Sequence, residues 1–237
     1  MKFAAFDLET ARIVPDSIPD NKAYPSLGIT CAALAFSDKD DLIVWQGVPQ
    51  LSPTECQGIV ADLQRVVSEG YTLLTWNGCS FDFSVLAQES GLTEACGQLA
   101  LNHVDLMLIV TFTKGHYLGF DKALAGAGVK GKVKVLTLSD GTKLADMSGS
   151  VAPELWAKGE YQAVLAYLRS DVSQLIGLAK AIESRKSIQW KSNSGRIQSV
   201  PINKFLLVKE CFTIPEPDVS WMKNPPSRSK FTAWIPR

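Results

Sequence analysis

Asp7 and Glu9 stand two residues apart at the end of an apolar run, in Phe6-Asp7-Leu8-Glu9-Thr10. On an extended strand they share a face, about 6.6 Å apart along the chain. Like charges at that spacing repel unless something neutralises them, and a divalent cation does so well. A strand that simply ends in solvent would show the same pair. A third carboxylate, Asp82, follows Trp76-Asn77-Gly78-Cys79-Ser80-Phe81, where an apolar stretch gives way to an Asn-Gly turn and a helix start. There it could equally serve the helix dipole. A fourth, Asp171, comes four residues after Tyr167 in Tyr167-Leu168-Arg169-Ser170-Asp171. Residues four apart on a helix are neighbours, about 5–6 Å between side chains. Both lie one position before the apolar residues Leu168 and Val172, which puts them at the edge of the core beside a cleft, or else on a solvated face.

Together these groups suit two-metal phosphoryl chemistry, which uses about four carboxylates around two cations roughly 4 Å apart. Oxygen ligands select hard cations such as magnesium or manganese. Other chemistries have little to draw on. His103 and His116 are the only histidines, no Gly-x-Ser-x-Gly occurs, and none of the five cysteines forms a Cys-x-x-Cys pair. Gly126-Ala127-Gly128-Val129-Lys130-Gly131 fits a Gly-x-Gly-x-x-Gly pattern, and Gly126 to Val133 nearly fits a phosphate-binding loop. Val133 stands where Ser or Thr should meet the metal, and a helical segment precedes the glycines instead of a strand. They read better as a helix terminator. Lys130, Lys132 and Lys134 could still meet substrate phosphates, or lie in a solvated turn.

In this combination the chain resembles the DEDD 3′–5′ exonuclease superfamily, which includes polymerase proofreading domains. The three segments resemble its FDxET, NGxxFD and YxxxD motifs, in the same order. With Tyr167 in place and both histidines far upstream of Asp171, the chain resembles the Tyr subclass, DEDDy. The resemblance covers roughly residues 1–184. It implies an α/β, ribonuclease H-like fold: a central mixed five-stranded sheet flanked by helices. It implies Asp7, Glu9, Asp82 and Asp171 as acids holding two Mg2+ or Mn2+ ions, and Tyr167 as the group that orients the attacking water. Leu8 and Thr10 fall where relatives contact the terminal nucleotide. Asn77, and Asp105 in His103-Val104-Asp105-Leu106, fall where supporting polar residues occur. The implied activity is hydrolysis of terminal phosphodiester bonds in DNA or RNA, releasing nucleoside 5′-monophosphates. The implied partner is a nucleic acid 3′ end, single-stranded DNA first, with a polymerase or repair partner left open. A catalytically silent nucleic-acid-binding or polymerase-associated module on the same fold is the alternative.

The elements that must position these groups are partly legible. Residues 1–8 alternate as a strand, and Ile29–Phe36 and Leu42–Trp45 read as a hairpin around Ser37-Asp38-Lys39-Asp40. Residues 11–26, with Pro15, Pro19 and Pro25, read as a loop. Ser52, Pro53 and Glu55 make a capping box for a helix to about Ser68, stopped by Gly70. Tyr71–Trp76 reads as a buried strand and Phe81–Glu89 as a helix. His103–Thr113 is ambiguous, Phe120–Ala125 is a short helix, and Lys130–Gly149 is a hairpin or loop of its own. A long helix is expected over Glu160–Ser184, with a buried stripe from Tyr161 through Leu168 and Leu175 to Ile182. Strands first, then helices alternating with strands, point to an α/β or α+β sandwich.

At 46% hydrophobic and 20% charged residues the chain can bury a core. No apolar run approaches the roughly 20 residues of a membrane-spanning helix. The first residues are too briefly apolar for a secretory signal, so a cytoplasmic protein with reduced thiols is expected. The zero net charge hides a division. Residues 1–184 carry 14 Lys and Arg against 21 Asp and Glu, whereas residues 185–237 carry 10 against 3. The expected organisation is a catalytic domain over 1–186 and a basic, aromatic extension over 187–237. The extension either docks on the acidic body or meets polyanions.

Overall fold

The computed structural model describes residues 1–13, 26–131, 135–145 and 147–236. Most of the loop read at 11–26, together with Lys132, Val133 and Lys134, therefore lies outside the described residues. At its centre is a five-stranded mixed sheet in the order β3-β2-β1-β4-β5. β1 (Phe3–Thr10) runs antiparallel to β2 (Ile29–Phe36), which pairs antiparallel with β3 (Leu42–Gln46). On its other side β1 runs parallel to β4 (Thr72–Thr75), and β4 parallel to β5 (Val104–Asp105). Helices cover both faces. The expected α/β architecture with a five-stranded mixed sheet is the one observed.

β1 is buried along nearly its whole length, so its period-two alternation divides two cores rather than core from solvent. Ala4, Phe6 and Leu8 join α1 (Pro53–Ser68), α2 (Asp82–Ser90) and α3 (Thr93–Leu101) in one cluster. Phe3 and Ala5 join α4 (Leu106–Lys114), α5 (Phe120–Ala127), α6 (Ala152–Ala157) and α7 (Tyr161–Arg185) in the other. On that second face the sheet is lined by small residues, Ala5 opposite Ala35, with Ala33 and Cys31 beyond. A smooth surface of this kind lets the long helix α7 lie close to β1 and β2.

Helix ends follow the sequence signals. Ser52 and Glu55 form the capping box of α1. Gly91 and Gly128 close α2 and α5 in the left-handed region, at φ 71° and 67°. The glycine-rich pattern at 126–131 thus ends a helix and does not open one. The ambiguous 103–113 stretch is both things in turn: two residues of β5, then α4 with Asp105 as its N-cap. In the 130–149 segment the described part is a small hairpin, β6 (Leu136–Thr137) with β7 (Lys143–Leu144). The C-terminal residues hold a further hairpin, β8 (Ser187–Lys191) with β9 (Ile197–Pro201), then α8 (Val208–Cys211) and a 3-10 turn at Arg228–Thr232. All five cysteines are free and buried. Among the described residues no helix is long and apolar enough to cross a membrane.

Candidate active site

Asp7 and Glu9 stand on the β1 face that α7 covers, opposite Ala33 and Cys31 of β2. The β1–β2 register shifts between Glu9 and Thr10, an irregularity that commonly ends pairing and re-aims side chains near sites. β1, β4 and β5 are parallel, so the chain leaves all three at the same edge of the sheet. Clefts of open α/β sheets form at the carboxyl ends of the strands, and the Asp82 segment follows directly after β4.

That segment is held by its own scaffold. Asn77 adopts φ 74°, in the left-handed region where Asn is among the tolerated residues. Its N–H and that of Cys79 donate to Asp105, each at 3.0 Å, and Leu108 N–H donates at 3.1 Å. Asp105 is fully buried; burial pushes its carboxyl up, and the backbone donors oppose this. Beneath the turn, His103 Nδ1 meets the Ala100 carbonyl at 2.7 Å and so must carry the hydrogen. Its Nε2 then accepts from the Thr75 hydroxyl at 2.9 Å, and that hydroxyl accepts from Gly78 N–H at 3.0 Å. Burial lowers the His103 pKa to about 4, so the ring stays neutral. A side chain at Gly78 would place its Cβ 2.5 Å from Thr75, so this turn needs glycine.

Asp7, Glu9, Tyr167 and Asp171 line one cleft of about 240 Å³. Leu8 and Thr10 border the same space, with Ile13 and Phe81 as apolar wall and Gly149 and Ser150 closing it. Asp7 and Asp171 also line a smaller adjoining cleft of about 60 Å³ with Trp76 and Phe120. Asp82 is 2% exposed and lines neither cleft; it hydrogen-bonds to Asp7, and its Oδ1 accepts Leu8 N–H at 3.2 Å. Burial, and then the charge of Asp7, push the Asp82 carboxyl well above its ordinary range. Asn77 stays out of the cleft, its side-chain oxygen accepting from Ser80 at 2.6 Å. Tyr167 and Asp171 are 2% and 4% exposed, so they are core residues reaching the cleft and not the rim residues the helical spacing suggested. The reason is that α7 is buried on more than one side, against the sheet, α5 and α6.

The donor set suits a hard cation: carboxylate oxygens alone, three of the four acids on one cleft. Among the described residues no three His, Cys, Asp or Glu side chains already form a metal cage. Asp82 instead lies in hydrogen-bond contact with Asp7, and burial and the Asp7 charge both raise its carboxyl pKa.

No family model matches the chain, and no curated protein matches it. In fold, the chain is similar to a family B DNA polymerase. The polymerase is that of the hyperthermophilic archaeon Pyrobaculum calidifontis, with TM-score 0.53 at 19% identity. The match covers 77% of this chain but only 24% of the polymerase, so the chain spans about a quarter of its neighbour. Exonuclease I of E. coli in complex with a dT13 oligonucleotide and exonuclease I of Methylocaldum szegediense each match at TM-score 0.35, with 18% and 14% identity. Each covers 78% of this chain and 41% of the exonuclease. The α/β fold around a five-stranded mixed sheet is thus one shared with part of that polymerase.

Sequence reasoning missed several residues here. Ile13, Gly149 and Ser150 line the cleft yet carry no motif, and Gly149 ends a segment that reads as a structure of its own. Phe120 carries only the signal of a short helix start. Trp76 could have been found, because it immediately precedes Asn77.

Proposed function

We propose that the chain is a divalent-metal-dependent 3′–5′ exonuclease that removes nucleoside 5′-monophosphates from a single-stranded nucleic acid. What supports the reading above all is one observation: Asp7, Glu9, Asp171 and Tyr167 line a single cleft, with Asp82 bonded to Asp7. Bound magnesium or manganese, two ions on this reading, supplies charge neutralisation at the phosphate. Asp7, Glu9, Asp82 and Asp171 would hold it. The Tyr167 hydroxyl orients the water that attacks phosphorus, the bond to the 3′ oxygen breaks, and that oxygen leaves with a proton. Leu8 and Thr10 meet the terminal nucleotide, with Phe81 and Ile13 offering apolar surface to its base. Asn77 and Asp105 support the turn that delivers Asp82. Residues 1–186 carry the catalysis, and 187–237 are a basic extension. We place this activity in the cytoplasm, at the 3′ end of a nucleic acid.

A second reading is a silent nucleic-acid-binding or polymerase-associated module on the same fold. One assay separates the two. Wild-type protein with magnesium or manganese shortens a 5′-labelled single strand from its 3′ end, and chelator stops it. Asp7→Asn lowers the rate by at least about a thousandfold, and Tyr167→Phe by less. Wild-type protein that leaves the strand intact in both metals supports the silent module.

A further inference from the structure

A second and larger cleft, about 750 Å³, opens between the 116–119 loop with the first turn of α5 and the β8–β9 hairpin. His116, Tyr117 and Trp190 give it aromatic surface, and Lys122, Asn193 and Gln198 give it polar groups. Trp190 is buried and anchors the hairpin, its ring 6.1 Å from that of His116. Tyr117 is 55% exposed, which leaves ring surface open to a ligand. Lys122 is exposed and donates to Asn193 at 2.8 Å across the cleft. Lys191 and Arg196 are exposed on the same hairpin, while Asp121 contributes an acid to the lining.

The hairpin is set firmly in place. Gly126 of α5 approaches it so closely that an added Cβ would lie 1.7 Å from the Gln189 carbonyl oxygen. The cleft and the acid site are linked through the start of α5. Gly119, Asp121 and Lys122 line it, while the residue between them, Phe120, lies 5.2 Å from Trp76 and faces the small cleft of Asp7 and Asp171. An exposed aromatic ring in a cleft lined by Lys122, with Lys191 and Arg196 on the same hairpin, matches the chemistry that holds a single strand, bases stacking on rings and phosphates meeting Lys and Arg.

We propose that this cleft binds single-stranded nucleic acid away from the scissile bond, gripping nucleotides upstream of the 3′ end. The inference rests on the nuclease reading only for the direction of the strand. Its test is fluorescence anisotropy of full-length protein with a labelled single strand of about 15 nucleotides, in chelator so that nothing is cut. Tyr117→Ala weakens binding about tenfold. Lys122→Gln with Arg196→Gln weakens it and lowers the salt slope by about 1.4, two phosphate contacts at roughly 0.7 each. Arg65→Gln on α1 leaves both quantities as in the wild type. Variants that bind with wild-type affinity and slope overturn the inference, as does a wild type that binds no single strand. If the cleft variants weaken binding but the wild type cuts nothing with metal, the cleft stands and the nuclease reading fails. If the wild type cuts and the variants bind normally, the reverse holds.

Discussion

Asp82 shows what the site costs the fold. It is buried, lies against a second carboxylate, and its pKa is raised by burial first and by Asp7 next. A raised carboxyl contributes stability that is present below its unfolded pKa of about 3.9 and lost as pH rises through the folded value. At neutral pH the group is therefore a burden that a cation or a proton must relieve. Asp82→Asn keeps an oxygen for Leu8 N–H and removes the charge, and should raise stability at pH 7 by about 1 kcal/mol. The gain shrinks as pH falls toward 4, and manganese, which should raise the wild-type Tm, loses most of that effect in the variant. Urea unfolding at several pH values checks this. At this scale the sequence was informative for the acids and Tyr167, because carboxylate spacing is a local property. It was silent on the depth of Tyr167 and Asp171 and on the cleft walls, because those depend on what α7 and the 149–150 segment meet in three dimensions.

Among the elements, the legible ones carry their own punctuation. The α1 boundaries followed from Ser52, Pro53 and Glu55, and the α2 and α5 ends from Gly91 and Gly128. α3 went unread because Leu92 at its start makes no side-chain cap, and the β8–β9 hairpin because its pairing is defined by the partner strand. The glycines give a sharp contrast. Gly126 touches the backbone of β8, so Gly126→Val forces α5 and the hairpin apart and should cost about 3 kcal/mol. Gly58 of α1 has open space where its Cβ would stand, so Gly58→Ala should stabilise by about 0.5–1 kcal/mol. Thermal melts in which both variants shift Tm in the same direction would refute this reading of the α5–β8 contact.

Across the whole molecule, the basic C-terminal residues are built into the acidic body. Trp190, Phe205 and Phe231 are buried in the same core as α7, and Phe205 packs edge-on against Phe3 at 4.9 Å. Trp234 Nε1 donates to the Cys79 carbonyl at 2.8 Å, and the Cys79 thiol donates to the Phe231 carbonyl at 3.3 Å, so the tail braces the turn that leads to Asp82. Phe212 and Trp221 stay exposed, which leaves part of the tail's aromatic surface for other contacts. Sequence alone left docking and polyanion binding both open, since the charge division is the same in either case. Ending the chain at Lys186 should abolish cooperative unfolding, because it strips buried rings and Val208 from the core. A truncated chain that melts as sharply as the full one, followed by circular dichroism, would show the extension to be an appendage.

The central claim is that acids from β1, α2 and α7 form one cation site. Anomalous diffraction from crystals soaked in manganese tests it most directly. The account predicts anomalous density bounded by Asp7, Glu9 and Asp171, and its loss in Asp7→Asn crystals. Manganese bound elsewhere, with that cleft empty at saturating metal, would contradict it.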